Sequence, residues 1–298
     1  ADLLGTGAPA LFVFLWSTGF ISAKLGLPHI EPMTFLALRF GVAALGFLGL
    51  VLWLGLRWPR PRDMLHQMMS GLLLHGVYLG GVFVAIAQGV EAGAAALIVG
   101  MQPLLVAAIA APLLGERVGP RQWSGLALGL LGVGLVVGEK LGQGLGTTTG
   151  IAFAIVALFG ITVGTLYQKR HGKGVDIRVG NAFQFAAAAV ATGLAALIFE
   201  TRAIDWQPAL VTALLWSIIV LSFGAVSLLM WLIAKGAASR VSSLFFLVPP
   251  TTALMAWLLF DERLPPLALL GMVAVVVGVA LVNLPAAHAS PHRGQRRQ

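Results

Sequence analysis

The sequence predicts an all-α polytopic membrane protein: ten transmembrane helices in two inverted five-helix repeats. Three observations carry the prediction. Hydrophobic residues make up 58% of the 298 positions and charged residues 10%, with a mean hydropathy of +0.93; soluble domains hold about 25% charged residues. A module also recurs along the chain. Pro103, Gly115-Glu116-Arg117, Pro120, Gly125 and Gly132 return 146 residues later as Pro249, Asp261-Glu262-Arg263, Pro266, Gly271 and Gly278, and 11 of 33 aligned positions are identical. Finally, the basic residues crowd into alternate loops.

Taken in order, the apolar runs between charged or Pro/Gly breaks fall at 8–27, 32–56, 65–88, 92–114, 122–138, 149–168, 179–199, 208–234, 240–260 and 265–284. Most approach the roughly 20 apolar residues that a helix needs to cross the bilayer core. None alternates in the manner of a membrane barrel strand. Ten spans put both termini on one side. That side collects 14 Lys and Arg, the other 4, and Arg39 lies within a span. The bias predicts a multi-pass membrane protein with both termini in the cytoplasm. The first repeat covers 1–138 and the second 150–284. A Gly-rich external linker, 139–149, joins them, and residues 285–298 read as a basic disordered tail. Five spans per repeat is an odd number, so the second copy enters the membrane upside down. This is the inverted architecture of many secondary transporters.

Composition narrows the function. The absence of cysteine rules out disulfide, thiolate-metal and iron–sulfur chemistry. The net charge of +8 is accounted for by loops between spans, so no nucleic-acid partner is expected; the partner surface is the lipid bilayer. No Walker loop appears, so ATP does not drive the protein directly. No catalytic or metal-spaced cluster lies in the spans, and the expectation is a non-enzyme with no cofactor, no metal and no catalytic residues.

Ten spans, two inverted repeats and the Pro…Gly-Glu-Arg…Pro…Gly module resemble the EamA family of the drug/metabolite transporter superfamily. Within it the chain is most similar to bacterial amino-acid exporters of the YddG type. The resemblance covers nearly all of 1–284. The second copy departs from the pattern at Asp261 and in doubling Pro249-Pro250. The resemblance implies a protein of the bacterial cytoplasmic (inner) membrane, with a basket of helices around a central cavity walled by spans 1, 3, 4, 6, 8 and 9. Spans 5 and 10 would lie outside it, near a dimer contact where one exists. A homodimer is allowed for, with a monomer sufficient for transport.

Candidate site residues follow from polarity at depth. Pro103 and Pro249 fall near mid-span at matched positions and read as hinges or as static kinks. Glu116, Arg117, Glu262 and Arg263 end spans 4 and 9, either as helix-terminus charges or as gating pairs. All eleven Asp and Glu lie at span ends or in loops, so no mid-membrane carboxylate offers itself as a proton carrier. His75 and Tyr78 share a face in a regular helix; they could bind a carboxylate or hydroxyl, His75 could couple protons, or His75 could simply be packed. Arg39 could attract anions, snorkel to the outer interface or pair with a helix terminus. Span 1 offers Trp16, Ser17, Thr18 and Phe20, with Lys24 towards the outer mouth. Gln102 precedes Pro103. Span 6 offers Phe159 and Thr162, span 8 Ser222 and Ser227, and span 9 Phe246 beside Ser243 and Phe245. Together these would make an aromatic, hydroxylated and nearly uncharged cavity, suited to a zwitterion. The expected function is export of small metabolites, amino acids foremost, by alternating access. The alternatives are export of drugs or quaternary cations, and proton-coupled antiport through His75.

Overall fold

The computed structural model describes residues 3–90, 95, 98–115, 118–141, 147–236, 238–260 and 266–283. Among these the chain is helical, with no strand and one isolated antiparallel bridge between Ile30 and Ile204. Ten segments follow in order: α1 Leu3–Gly26, α2 Pro32–Trp53, α3 Pro61–Ala87, α4 Gln102–Leu114, α5 Pro120–Leu141, α6 Thr148–His171, α7 Ile177–Phe199, α8 Pro208–Lys235, α9 spanning 238–260, and α10 Pro266–Asn283. Proline is the first residue of α2, α3, α5, α8 and α10. There its missing N–H is one the helix would leave unpaired anyway.

Helices α2, α3, α6, α7 and α8 are each long and apolar enough to cross a membrane. Their outer faces carry Leu45, Leu52, Val190, Leu197 and Ile198, all more than half exposed. Apolar surface on that scale is unfavourable in water and suited to lipid. The chain is a multi-pass membrane protein.

Contacts at the helix ends sort them into two faces. On one face the Thr147 hydroxyl, just before α6, donates to the Gln88 carbonyl that follows α3. There also the α1–α2 loop is clasped to the α7–α8 loop. Glu31 accepts from the Thr201 hydroxyl and the Arg202 amide, and His29 Nδ1 lies 3.1 Å from Asp205. On the opposite face His66, early in α3, meets Tyr167, late in α6. Lys169 donates to the carbonyls of Ile233 and Gly236 at the end of α8. Successive helices alternate between these clasp and terminal faces, so the start of α1 and the end of α10 share the terminal face.

The 146-residue shift carries α1–α5 onto α6–α10. Three pairs of these repeat counterparts pack directly, α4 with α9, α2 with α7 and α5 with α10, and the last two show the antiparallel arrangement in detail. At the start of α2, the Met33 and Thr34 amides donate to Glu200, just past the end of α7; further along, Phe47 stacks on Phe185 and Phe40 meets it at a tilt. Between α5 and α10, a Cβ on Gly125 would lie 2.6 Å from the Gly278 carbonyl, and one on Gly132 would lie 2.6 Å from that of Gly271. The shift equates Gly125 with Gly271 and Gly132 with Gly278, so each glycine meets the counterpart of the other. Such reciprocity is the mark of a two-fold axis, here within one chain. The glycine seam therefore serves the inside of the fold, where small residues let two backbones approach.

The halves also share an irregularity. α3 contains a π segment, Leu72–Val77, and α8 contains another, Ser217–Ala225. Shifting the second back by 146 gives 71–79, which includes the first.

Two expectations are corrected. Pro103 and Pro249 do not bend uninterrupted helices at mid-span. Pro103 is the second residue of α4, after a turn at Gly100 and Met101; Pro249 is the second residue of Val248–Phe260, after the 3-10 turn Leu244–Leu247 that interrupts α9. Proline sits at the start of these stretches because no amide is required there. In addition, α5 runs on to Leu141 and takes in the first three residues of the expected linker 139–149. Residues 142–146, Glu116, Arg117, Glu262, Arg263 and the tail 285–298 lie outside the described residues.

A candidate transport cavity

Two adjoining recesses open between the halves. The larger, about 490 Å³, lies among Trp16, Gly19 and Ala23 of α1, Arg39 of α2, the Tyr78–Ile86 stretch of α3 and Leu221 of α8. The second, about 370 Å³, adds Val99 and Gly100 before α4, and Phe245, Val248 and Pro249 of α9. Trp16, Tyr78 and Val82 line both, so the two form one cavity. It reaches from mid-depth towards the clasp face, where α1 and α3 end. Its wall is aromatic: the Trp16 and Tyr78 rings are parallel with centroids 6.5 Å apart, and Phe245 meets Trp16 edge-on at 5.5 Å.

One corner is polar. Arg39 is only 4% exposed, and its Nε donates to the Ser222 hydroxyl at 3.0 Å. Ser222 in turn donates to the Ser217 carbonyl five residues back, the spacing of a π turn. The Ser217 and Ser22 hydroxyls lie 2.6 Å apart. The π segment of α8 thus aims Ser222 at α2 and holds the guanidinium. Arg39 neither snorkels to the interface nor pairs with a helix terminus, the two structural roles open to it from sequence.

Towards the terminal face the interior is closed by buried amides. Gln184 Nε2 donates to Gln67 at 2.8 Å and approaches Gln168 at 3.4 Å, and Asn181 donates to Ser227. Ser70 and the Gln184 oxygen are buried in this layer without a hydrogen-bond partner.

The sequence-predicted residues divide accordingly. Trp16, Tyr78 and Pro249 line the cavity, and Ser222 borders it through Arg39. Ser17 is buried between the carbonyls of Val13 and Val248. Gln102 bridges to Ser242 of α9. Thr162 donates to the Leu158 carbonyl of its own helix, and Ser227 belongs to the amide layer. The Phe20 and Lys24 side chains lie outside the described residues.

Four residues are corrected. Thr18 faces outward, accepting from the indole of half-exposed Trp216. Phe159 is 57% exposed, on a stripe with Val156 and Val163. Its helix cannot wall the cavity because α6 packs backbone-close on α3: a Cβ on Gly160 would meet the Tyr78 amide, and one on Gly81 the Phe153 carbonyl. Phe246 is buried against Gly129 of α5, and its neighbour Phe245 takes the cavity position. His75 is separated from Tyr78. Its ring lies 4.7 Å from that of Phe185 and 5.8 Å from that of Phe40, away from the cavity lining. Gln184 is beside it, but neither ring nitrogen reaches hydrogen-bond geometry.

The repeat is matched by the comparisons with known proteins. The profile of the EamA-like transporter family matches the chain twice, over residues 4–138 and 148–284. The chain is 27% identical over 285 residues to a probable amino-acid metabolite efflux pump of Escherichia coli, covering 90% of this chain and 91% of that protein. It is 26% identical over 280 residues to the uncharacterized transporter YvbV of Bacillus subtilis, covering 92% and 90%, and 26% identical over 280 residues to the uncharacterized inner membrane transporter YedA of Escherichia coli, covering 93% and 90%. A solved crystal structure shares the fold with a TM-score of 0.77 at 21% identity, over 95% of this chain and 97% of that one. Matched along both halves, the chain belongs to the EamA-like transporter family, and it is a membrane transporter rather than an enzyme.

Proposed function

We propose that the protein exports small zwitterionic metabolites, amino acids among them, across the bacterial inner membrane by alternating access. The observation that carries this reading is the aromatic cavity of Trp16, Tyr78 and Phe245, set between two antiparallel halves and reaching towards one face. The similarity to a probable amino-acid metabolite efflux pump supports the substrate class. We place the terminal face in the cytoplasm. Its loops and helix ends carry Arg57, Arg60, Arg62, Arg121, Lys169, Arg170, Lys173, Arg178, Lys235 and Arg240, against Lys24, Lys140 and Arg202 on the clasp face. The substrate gradient drives export, since His75 lies off the cavity and, among the described residues, no lining residue is a carboxylate. A monomer holds the whole cavity, so a dimer is not required.

A second reading has one observation in its favour: three aromatic rings around a recess also suit a quaternary ammonium through cation–π attraction. Counterflow in proteoliposomes decides between them. A panel of the twenty amino acids and a set of quaternary ammonium ions would compete against labelled phenylalanine. Trans-stimulation by amino acids is expected. Uptake without trans-stimulation would mean a pore, and competition by the cations alone would mean a drug exporter.

A further inference from the structure

We propose that Arg39 is the anion-binding post of the cavity and fixes the carboxylate of the transported metabolite. The inference rests on the export reading above and narrows its substrates to carboxylate-bearing ones. An arginine buried at membrane depth is unfavourable unless its charge is used. Arg39 is 4% exposed and lines the larger recess. Among the described residues, no Asp or Glu lies within ion-pair distance of it. Its only hydrogen bond there is from Nε to Ser222, and its Cζ lies 5.5 Å from the Phe40 ring centroid, which contributes no negative charge. Both terminal nitrogens of the guanidinium thus remain for a ligand.

The orientation is fixed from behind. Ser222 spends its proton on the Ser217 carbonyl and offers its oxygen to Nε. That tether leaves the far edge of the planar fork to meet a carboxylate with two parallel hydrogen bonds. The remaining lining, Trp16, Leu79, Phe83 and Leu221 among it, is apolar or aromatic, with the Tyr78 hydroxyl as the nearby exception. An acid group at Arg39 therefore leaves an apolar substituent facing a matching wall. A permanent cation in the same recess meets an uncompensated positive charge, which counts against the quaternary-ammonium alternative.

The test measures binding of matched pairs to the purified full-length protein: each amino acid against its decarboxylated amine, with tetraphenylphosphonium as a lipophilic cation. Wild type is expected to favour the acid over the amine by roughly tenfold or more, the scale of a charge-assisted hydrogen bond. Arg39→Gln should erase the preference while leaving amine affinity in place. Arg39→Lys, which keeps the charge and loses the fork, should retain the preference at reduced acid affinity; it also stands in should the glutamine variant fail to fold. If acids bind and either variant loses acid and amine affinity together, Arg39 is structural and the proposal fails while the export reading stands. The proposal fails in the same way if Arg39→Gln keeps the preference. If only the cation binds wild type, or nothing in the panel does, both fail.

Discussion

Phe245 and Phe246 are adjacent on α9 and face opposite ways. Phe245 meets Trp16 edge-on in the cavity, whereas Phe246 is fully buried over Gly129. Truncating them should therefore have separable effects. Phe246→Ala leaves a void that the glycine opposite cannot fill, at a cost of about 3–5 kcal/mol, read as a lower melting temperature in detergent. Phe245→Ala enlarges a space that already exists, so it should cost less stability and weaken ligand-induced stabilisation. The reverse ranking would show that the assignment of the two rings is wrong. Periodicity could not make this choice. From Leu244 to Leu247 α9 has no polar residue to mark a side, and the 3-10 turn there rotates the chain further per residue than an α-helix does. Phe159 misled for a related reason: a lipid-facing aromatic and a cavity-facing one look alike in sequence.

At the scale of elements, the starts of the helices were legible because proline and charge mark them. Pro32, Pro61, Pro120, Pro208 and Pro266 begin helices within a few residues of the predicted runs. Register inside the helices was not legible. No residue type marks a π turn, yet the one in α3 turns His75 towards Phe185 while Tyr78 lines the cavity, so two residues expected on one face serve different surroundings. The clasp between the α1–α2 and α7–α8 loops was also hidden, since it joins residues about 170 apart. Its central acid, Glu31, is held below the ordinary carboxylate value of 4.5. The Thr201 hydroxyl is the main cause, outweighing slight desolvation, and the Thr201, Arg202 and Ala203 amides contribute. A depressed acid stabilises the clasp fully above its ordinary value, and that contribution is lost as pH falls through the depressed one. Hydrogen exchange at the Arg202 amide, corrected for its intrinsic rate, should accordingly show protection at neutral pH that fades through the carboxylate range. Glu31→Gln should flatten that dependence. Protection that follows pH equally in both proteins would assign it to another group.

In the whole molecule, the two-fold axis passes between α5 and α10 and between α2 and α7, and the counterparts α4 and α9 also meet through Gln102 and Ser242. The glycine seam makes the first contact backbone-close, as Gly81 and Gly160 do between α3 and α6. The cavity breaks the symmetry, occupying only the clasp side, while Gln67, Gln168 and Gln184 fill the terminal side. Alternating access requires an opposite state in which this amide layer separates and the clasp side closes. The chain has no cysteine, so single thiols can report on both states without a background. In proteoliposomes, Leu79→Cys, which lines the cavity, should react with a membrane-impermeant thiol reagent added on the clasp side. Ser70→Cys, buried in the amide layer at 1% exposure, should resist reagent from the terminal side. A transported amino acid should shift the two reactivities in opposite directions, because it redistributes one population between two states. Simultaneous fast labelling of both positions would describe a continuous aqueous pore, and alternating access would then have to be abandoned.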